Sequence, residues 1–144
     1  KLTHDLLPIL KKSNQAYILN IASTAAYQAV PAMSVYAATK SFVLQFSRGL
    51  RYELRKSNIS VTVVSPGPVS SGFMNRAGMN EPWLVERSAK VAMTPDEVAQ
   101  RAVKAMFNKK TEVVPGFLNA LAASLTRFAP KKLSEKIAAS LYEH

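Results

Sequence analysis

The stretch Ile59-Ser60-Val61-Thr62-Val63-Val64-Ser65-Pro66-Gly67 decides the fold. Its first six residues are rich in β-branched side chains and carry no charge, which predicts a strand, and Ser65-Pro66-Gly67 ends it with turn formers. Immediately upstream, residues from about Ser34 to Lys56 form the longest helical pattern in the chain. Val43, Phe46, Leu50 and Leu54 make one apolar stripe on it, while Arg48, Arg51, Arg55 and Lys56 occupy other faces. Further back, Tyr17-Ile18-Leu19-Asn20-Ile21 is a short, mostly apolar run bounded by turn formers, the pattern of a buried parallel strand. A strand, a crossover helix and a second strand make a βαβ unit, so the expected class is α/β with a parallel sheet.

The flanks fit around that unit. Leu2, Leu6, Leu7 and Leu10 at helical spacing predict the end of a helix over residues 2–12, with Pro8 expected to bend it. Residues 69–91 mix turn formers with large apolar side chains and read as a loop carrying short helices. Thr94-Pro95-Asp96-Glu97 is a strong helix start, with Thr94 as N-cap and Glu97 completing a capping box, and that helix runs to about Phe107. Glu112-Val113-Val114 predicts a short third strand, and two further helical segments follow, separated by Pro130.

Composition narrows the function classes. The 144 residues are 48% hydrophobic, enough for one domain with its own core. No apolar run approaches the ~20 residues that span a bilayer. The chain has no cysteine, which removes disulfides, thiolate metal sites and cysteine nucleophiles and suits a cytoplasmic location. His4 and His144 lie at opposite ends, so no metal site is expected. The net charge of +10 attracts anionic partners in general. Its cations are spread along the chain without interleaved aromatics, so no nucleic-acid role is expected.

Chemistry is concentrated at Ser23, Tyr36 and Lys40. Tyr36 and Lys40 stand four apart on the predicted helix and so share a face. Ser23 ends the first strand, and in open α/β sheets ligands sit beyond the carboxyl ends of the strands. A free phenol ionises near ~10 and is a poor acid–base group at neutral pH. An ammonium nearby favours the phenolate, making proton exchange with a carbonyl or alcohol oxygen feasible. A serine hydroxyl can hold the same oxygen and stabilise charge developing on it. Taken alone, the Tyr-Lys pair also fits a packed tyrosine beside a solvated lysine.

In context, Ile18-Leu19-Asn20-Ile21-Ala22-Ser23, Tyr36-Ala37-Ala38-Thr39-Lys40 and Val61-Thr62-Val63-Val64-Ser65-Pro66-Gly67 occur in one order and register. Here the sequence closely resembles the short-chain dehydrogenase/reductase superfamily, strongly from Ile18 to Phe73 and more loosely beyond. The resemblance implies the C-terminal portion of a doubly wound, Rossmann-type parallel sheet with flanking helices. It implies an oxidoreductase interconverting an alcohol and a ketone or aldehyde with NADP or NAD, NADP being slightly favoured. Ser23 would polarise the substrate, Tyr36 would exchange the proton, and Lys40 would also bind the nicotinamide ribose. Pro66 and Gly67 would turn Val69 backbone groups toward the carboxamide. Ser71 would add a hydroxyl contact to cofactor, although its position also suits a helix cap.

Phe73, Met74 and Trp83, with Met79 and Leu84, fall in the family's substrate lid and would line a pocket for a small, lipophilic carbonyl or alcohol; core packing or an oligomer contact would use them equally well. A homo-oligomer is expected, because the Tyr36 helix often builds subunit contacts in this superfamily. Val113-Val114-Pro115-Gly116 and the basic amphipathic tail resemble a branch containing bacterial oxidoreductases, near steroid and long-chain ketoacyl reductases; the tail suits a membrane surface or a neighbouring subunit. Missing is the glycine-rich strand–turn–helix that holds a pyrophosphate, and the family's catalytic asparagine would fall just before Lys1. Residues 1–144 are therefore expected to be a single partial domain without the N-terminal dinucleotide-binding half. The alternative is a non-catalytic fragment acting as a basic interaction module.

Overall fold

In the computed structural model, which describes residues 1–79, 81–126 and 128–140, strand β2 (Ile59–Val64) lies between β1 (Ala16–Ile21) and β3 (Glu112–Val113) in a three-stranded parallel sheet. All six β2 residues are buried, which explains the run without charged side chains. β1 pairs along its whole length, from Ala16 opposite Ile59 to Ile21 opposite Val64. β3 reaches only Val63 and Val64.

Two helices cover one face of the sheet: α1 (Leu2–Leu10) and α2 (Ser34–Glu53). Leu50 and Leu54 pack with Ala16, Ile59 and Val61, joined by Leu7, Leu10 and Ile18. Toward the carboxyl end of the strands, Leu44 packs with Ala22, Ala26 and Val63. A fully buried leucine such as Leu44 contributes about 1.5–3 kcal/mol relative to exposure. The chain continues through two short helices, α3 (Phe73–Arg76) and α4 (Pro82–Ala89), to α5 (Pro95–Phe107). Phe107 meets the Tyr17 ring edge-on at 5.2 Å. Because Ile18 faces α2 and strand side chains alternate, Tyr17 and α5 belong to the opposite face. Helices α6 (Phe117–Thr126) and α7 (Lys131–Ala139) follow β3.

The Thr94 cap is present in full: Thr94 Oγ1 accepts from the Glu97 N–H, and the Glu97 carboxylate accepts from the Thr94 N–H. The Thr94 N–H first, and then the Thr94 hydroxyl, donate to the Glu97 carboxylate and hold it below the usual carboxylate range.

Helix α1 continues through Pro8 to Leu10, as expected, and of its leucines Leu7 and Leu10 reach the core while Leu2 and Leu6 face solvent. After β1, Thr24–Tyr27 forms a 3-10 turn. One expectation needs correction. The stripe on α2 is offset: Leu44 and Ser47 are buried, whereas Phe46 is exposed and stacks on Phe42. Ser47 can occupy a core position because its hydroxyl accepts from Asn20 Nδ2 on β1 and donates to the Val43 carbonyl.

Candidate active site

At the carboxyl end of the sheet, two strand exits are joined to each other. The Ala22 N–H donates to the Val64 carbonyl, and the Thr24 N–H donates to the Pro66 carbonyl. Ser23 therefore stands between two anchored residues, beside the Pro66-Gly67 turn. Its hydroxyl accepts from the Ala25 N–H at 3.2 Å and caps the 3-10 turn. Ser41 on α2 donates to the Ala26 carbonyl, fixing the first turns of α2 against the same segment.

Tyr36 lies in the first turn of α2 and is half-buried. One turn on, Lys40 reaches back across the strand exit, and its Nζ donates to the Ile21 carbonyl at 3.2 Å. The same Nζ is 5.7 Å from the Tyr36 ring centroid. The main chain of β1 thus holds the ammonium beside the phenol. The Ile21 carbonyl is the one contributor that side-chain reasoning missed; no residue-type signal marks a backbone acceptor. Ala32, with φ at 63°, sits in the left-handed region at the turn into α2, which for a residue with a Cβ costs about 1–2 kcal/mol.

Beyond Pro66-Gly67 the chain forms a single parallel bridge, Val69 opposite Met93. Met93 donates to the Pro68 carbonyl and accepts from the Ser70 N–H. In a parallel pairing those bonds engage the neighbours of Val69, so the N–H and C=O of Val69 turn to the other side. Gly67 is tightly packed: a Cβ there would lie 2.5 Å from Asn119 Cγ of α6. Asn119 stands 52 residues away in sequence, so no local pattern disclosed this contact. Ser71 is exposed, and its hydroxyl accepts from the Phe73 N–H at 3.4 Å, one residue before the Gly72 N-cap of α3.

Of the apolar residues expected in a lid, Phe73 lies against Tyr36, with ring centroids 5.4 Å apart and planes tilted by 47°. Met74, Met79 and Trp83 are half-buried and Leu84 is buried. The structure therefore brings Tyr36, Lys40 and Phe73 into contact and sets Ser23 beside the Pro66-Gly67 turn.

This arrangement matches a known class of protein. The family model for short chain dehydrogenases matches residues 1–82. The chain belongs to the short-chain dehydrogenase family, and its sheet is part of that family's Rossmann-type α/β fold. It is similar to the ketoacyl reductase HetN of Nostoc, at 36% identity over 88% of this chain and 42% of HetN. It is also similar to the NADP-dependent 3-hydroxy acid dehydrogenase YdfG of Escherichia coli, at 35% identity over 69% of this chain and 41% of YdfG. The structure of a short-chain dehydrogenase from Sphingobium yanoikuyae in complex with NADPH superposes with a TM-score of 0.68 and 28% identity, covering 88% of this chain and 50% of that one. The chain thus spans less than half the length of these two curated relatives.

Proposed function

We propose that the protein carrying this chain is a nicotinamide-dependent oxidoreductase interconverting an alcohol and a ketone or aldehyde, with Tyr36 as acid–base residue. The observation that carries the reading is the position of Lys40, anchored on the Ile21 carbonyl with its ammonium 5.7 Å from the Tyr36 ring. An ammonium fixed there is a positive charge beside the ring, placed to offset charge that develops during proton transfer. Tyr36 gives its proton to the carbonyl oxygen in reduction and takes it back in oxidation. The Ser23 hydroxyl, held on the adjoining strand exit, donates to that same oxygen.

The residues present fit a nicotinamide cofactor. Val69 turns an unbridged N–H and C=O outward, a pairing suited to a carboxamide, and the Lys40 ammonium has further donors for ribose hydroxyls. NADP is favoured over NAD by the NADP-dependent and NADPH-bound relatives. The cofactor, when bound, supplies or accepts the hydride. Pro66 and Gly67 shape the turn that presents Val69, and Ser71 steadies the start of α3 at the site's rim. Phe73, with Met74 and Trp83 of the lid, shields the reacting oxygen from water and selects a lipophilic substrate.

We assign the protein to the cytoplasm as a homo-oligomer, the stacked Phe42 and Phe46 rings on α2 offering an apolar subunit surface. The reading as a basic interaction module gains no support from these relatives.

The test is reduced-nicotinamide consumption by the full-length protein against a panel of aliphatic and cyclic ketones. Acid–base catalysis contributes about 10²–10⁴-fold, so Tyr36→Phe should lower turnover at least a hundredfold while thermal unfolding is unchanged. Turnover within a few-fold of the parent would remove Tyr36 from the mechanism.

A further inference from the structure

Helix α6 breaks the rule for a helix facing water. It contains no charged residue, yet only Ala123 is buried on it. Phe117 is 80% exposed, Leu118 68%, Leu125 60% and Phe128, just beyond the helix, 87%; Leu121 is exposed as well. A surface helix ordinarily sets charges opposite its core stripe, and contiguous apolar exposure on this scale marks a binding surface. On α7, Leu133 and Ile137 are exposed as well, while Ser134 and Ala138 are buried.

The charge around these residues specifies the occupant. From Phe117 to Ser140 the sequence has four cations, Arg127, Lys131, Lys132 and Lys136, against one acid, Glu135. Lys131 and Lys132 follow Phe128 by three and four residues and open α7. A second copy docking through the same patch would set these lysine clusters against each other across a two-fold axis. A surface that is apolar and anionic at once satisfies both features, and a lipid headgroup layer is such a surface. Neither helix spans it: among the described residues no helix is long and apolar enough to cross a membrane.

We propose that the exposed apolar side chains of α6 and α7, with the lysines that open α7, seat this chain on the surface of an anionic lipid bilayer. Phe117, Leu125 and Phe128 enter the boundary between headgroups and acyl chains, and Lys131, Lys132 and Lys136 meet the headgroup charge. The opposite side of α6 packs through Asn119 on Gly67, so the docked helix adjoins the turn beside Ser23. Docking itself does not depend on the catalytic assignment, and vesicle binding is measured without substrate or cofactor.

The full-length protein is sedimented with vesicles of phosphatidylcholine alone and of phosphatidylcholine mixed with phosphatidylserine. It should pellet with the mixed vesicles, only weakly with the neutral ones, and be released by salt. Each lysine near such a surface is worth about fivefold in partitioning, so Lys131→Gln with Lys132→Gln should weaken binding more than tenfold. Leu125→Ser with Phe128→Ser should weaken it at least as much, and both pairs replace exposed side chains. Failure of the unaltered protein to pellet with mixed vesicles overturns the proposal. So does binding undiminished in both variants, or a dimer that the Leu125/Phe128 pair disrupts while no vesicle is bound.

Discussion

Replacing Arg51 by alanine tests how the open edge of β2 is held. Val63 and Ser65 turn their N–H groups toward β3, donating to Thr111 and Val113 carbonyls. Alternation along a parallel strand places the Val61 carbonyl on that same edge, below the point where β3 stops pairing. Arg51 of α2 fills the gap. Its Nη1 donates to the Val61 carbonyl at 2.6 Å and to Ser60 Oγ at 3.2 Å, and its Nη2 donates to the Lys109 carbonyl at 2.6 Å. Hydrogen bonds from a charged donor contribute about 1.5–3 kcal/mol each, so the two carbonyl bonds would give roughly 3–6 kcal/mol if nothing replaced them. A cavity of about 530 Å³, lined by Arg48, Arg51, Arg55 and Lys109 among others, adjoins the site. It is polar and roomy enough for water to rehydrate part of what is vacated, which reduces the expected loss to about 2–3 kcal/mol. Arg51→Lys keeps the charge without the planar fork and should lose about 1–2 kcal/mol. Urea titration measures both as a lower midpoint at unchanged slope, near 1 M for the alanine variant if the slope is about 2–3 kcal/mol/M. An alanine variant within about 0.5 kcal/mol of the parent would show that water serves the edge as well as Arg51 does.

Gly67→Ala should destabilise by about 1–3 kcal/mol through overpacking, because the added Cβ meets Asn119 Cγ at 2.5 Å; adding Asn119→Ala should restore most of that, and calorimetry that finds no restoration would refute the contact. Lys109 has φ at 53° at the end of α5, where the Lys109 N–H donates to the Met106 carbonyl and the Lys110 N–H to the Ala105 carbonyl. That is a Schellman motif with lysine where glycine is usual, so Lys109→Gly should gain about 0.5–1 kcal/mol in the same titration, less whatever the exposed Lys109–Gln15 bond contributes. A loss instead would mean that this side-chain bond outweighs the backbone strain.

What could be read in the sequence was whatever one segment encodes by itself. β2 announces itself because both of its faces are buried, and α5 because the cap at Thr94 and Glu97 is a contact over three residues. Tyr36 and Lys40 are one helical turn apart, so their shared face follows from spacing. The 3-10 turn at Thr24–Tyr27 was missed because four residues carry no periodicity and its cap, Ser23, had been read for chemistry alone. The stripe on α2 was misplaced because a polar residue took a core position, and its partner, Asn20, lies 27 residues earlier. Phe46 looked like core for the same reason: an aromatic at helical spacing is ambiguous until its stacking partner, Phe42, is known. The Gly67–Asn119 contact and the Arg51 clamp depend on segments brought together only by the whole fold.

Those long-range contacts divide the sheet into two ends that the chain secures differently. At the carboxyl end, Ala22 to Val64, Thr24 to Pro66, Ser65 to Val113 and Met93 to Pro68 are main-chain bonds. No single side-chain substitution removes them, short of proline at a donor position. At the amino end, side chains add to the main-chain bonds from Ala16 to Asn58 and from Val63 to Thr111: Arg51 to the Val61 carbonyl, Thr62 to the Lys110 carbonyl, and Gln15 to the Asn58 carbonyl. Substitutions there lower global stability without moving the strand exits that carry Ser23 and the Ile21 carbonyl. The geometry around Tyr36 then survives until the sheet itself unfolds.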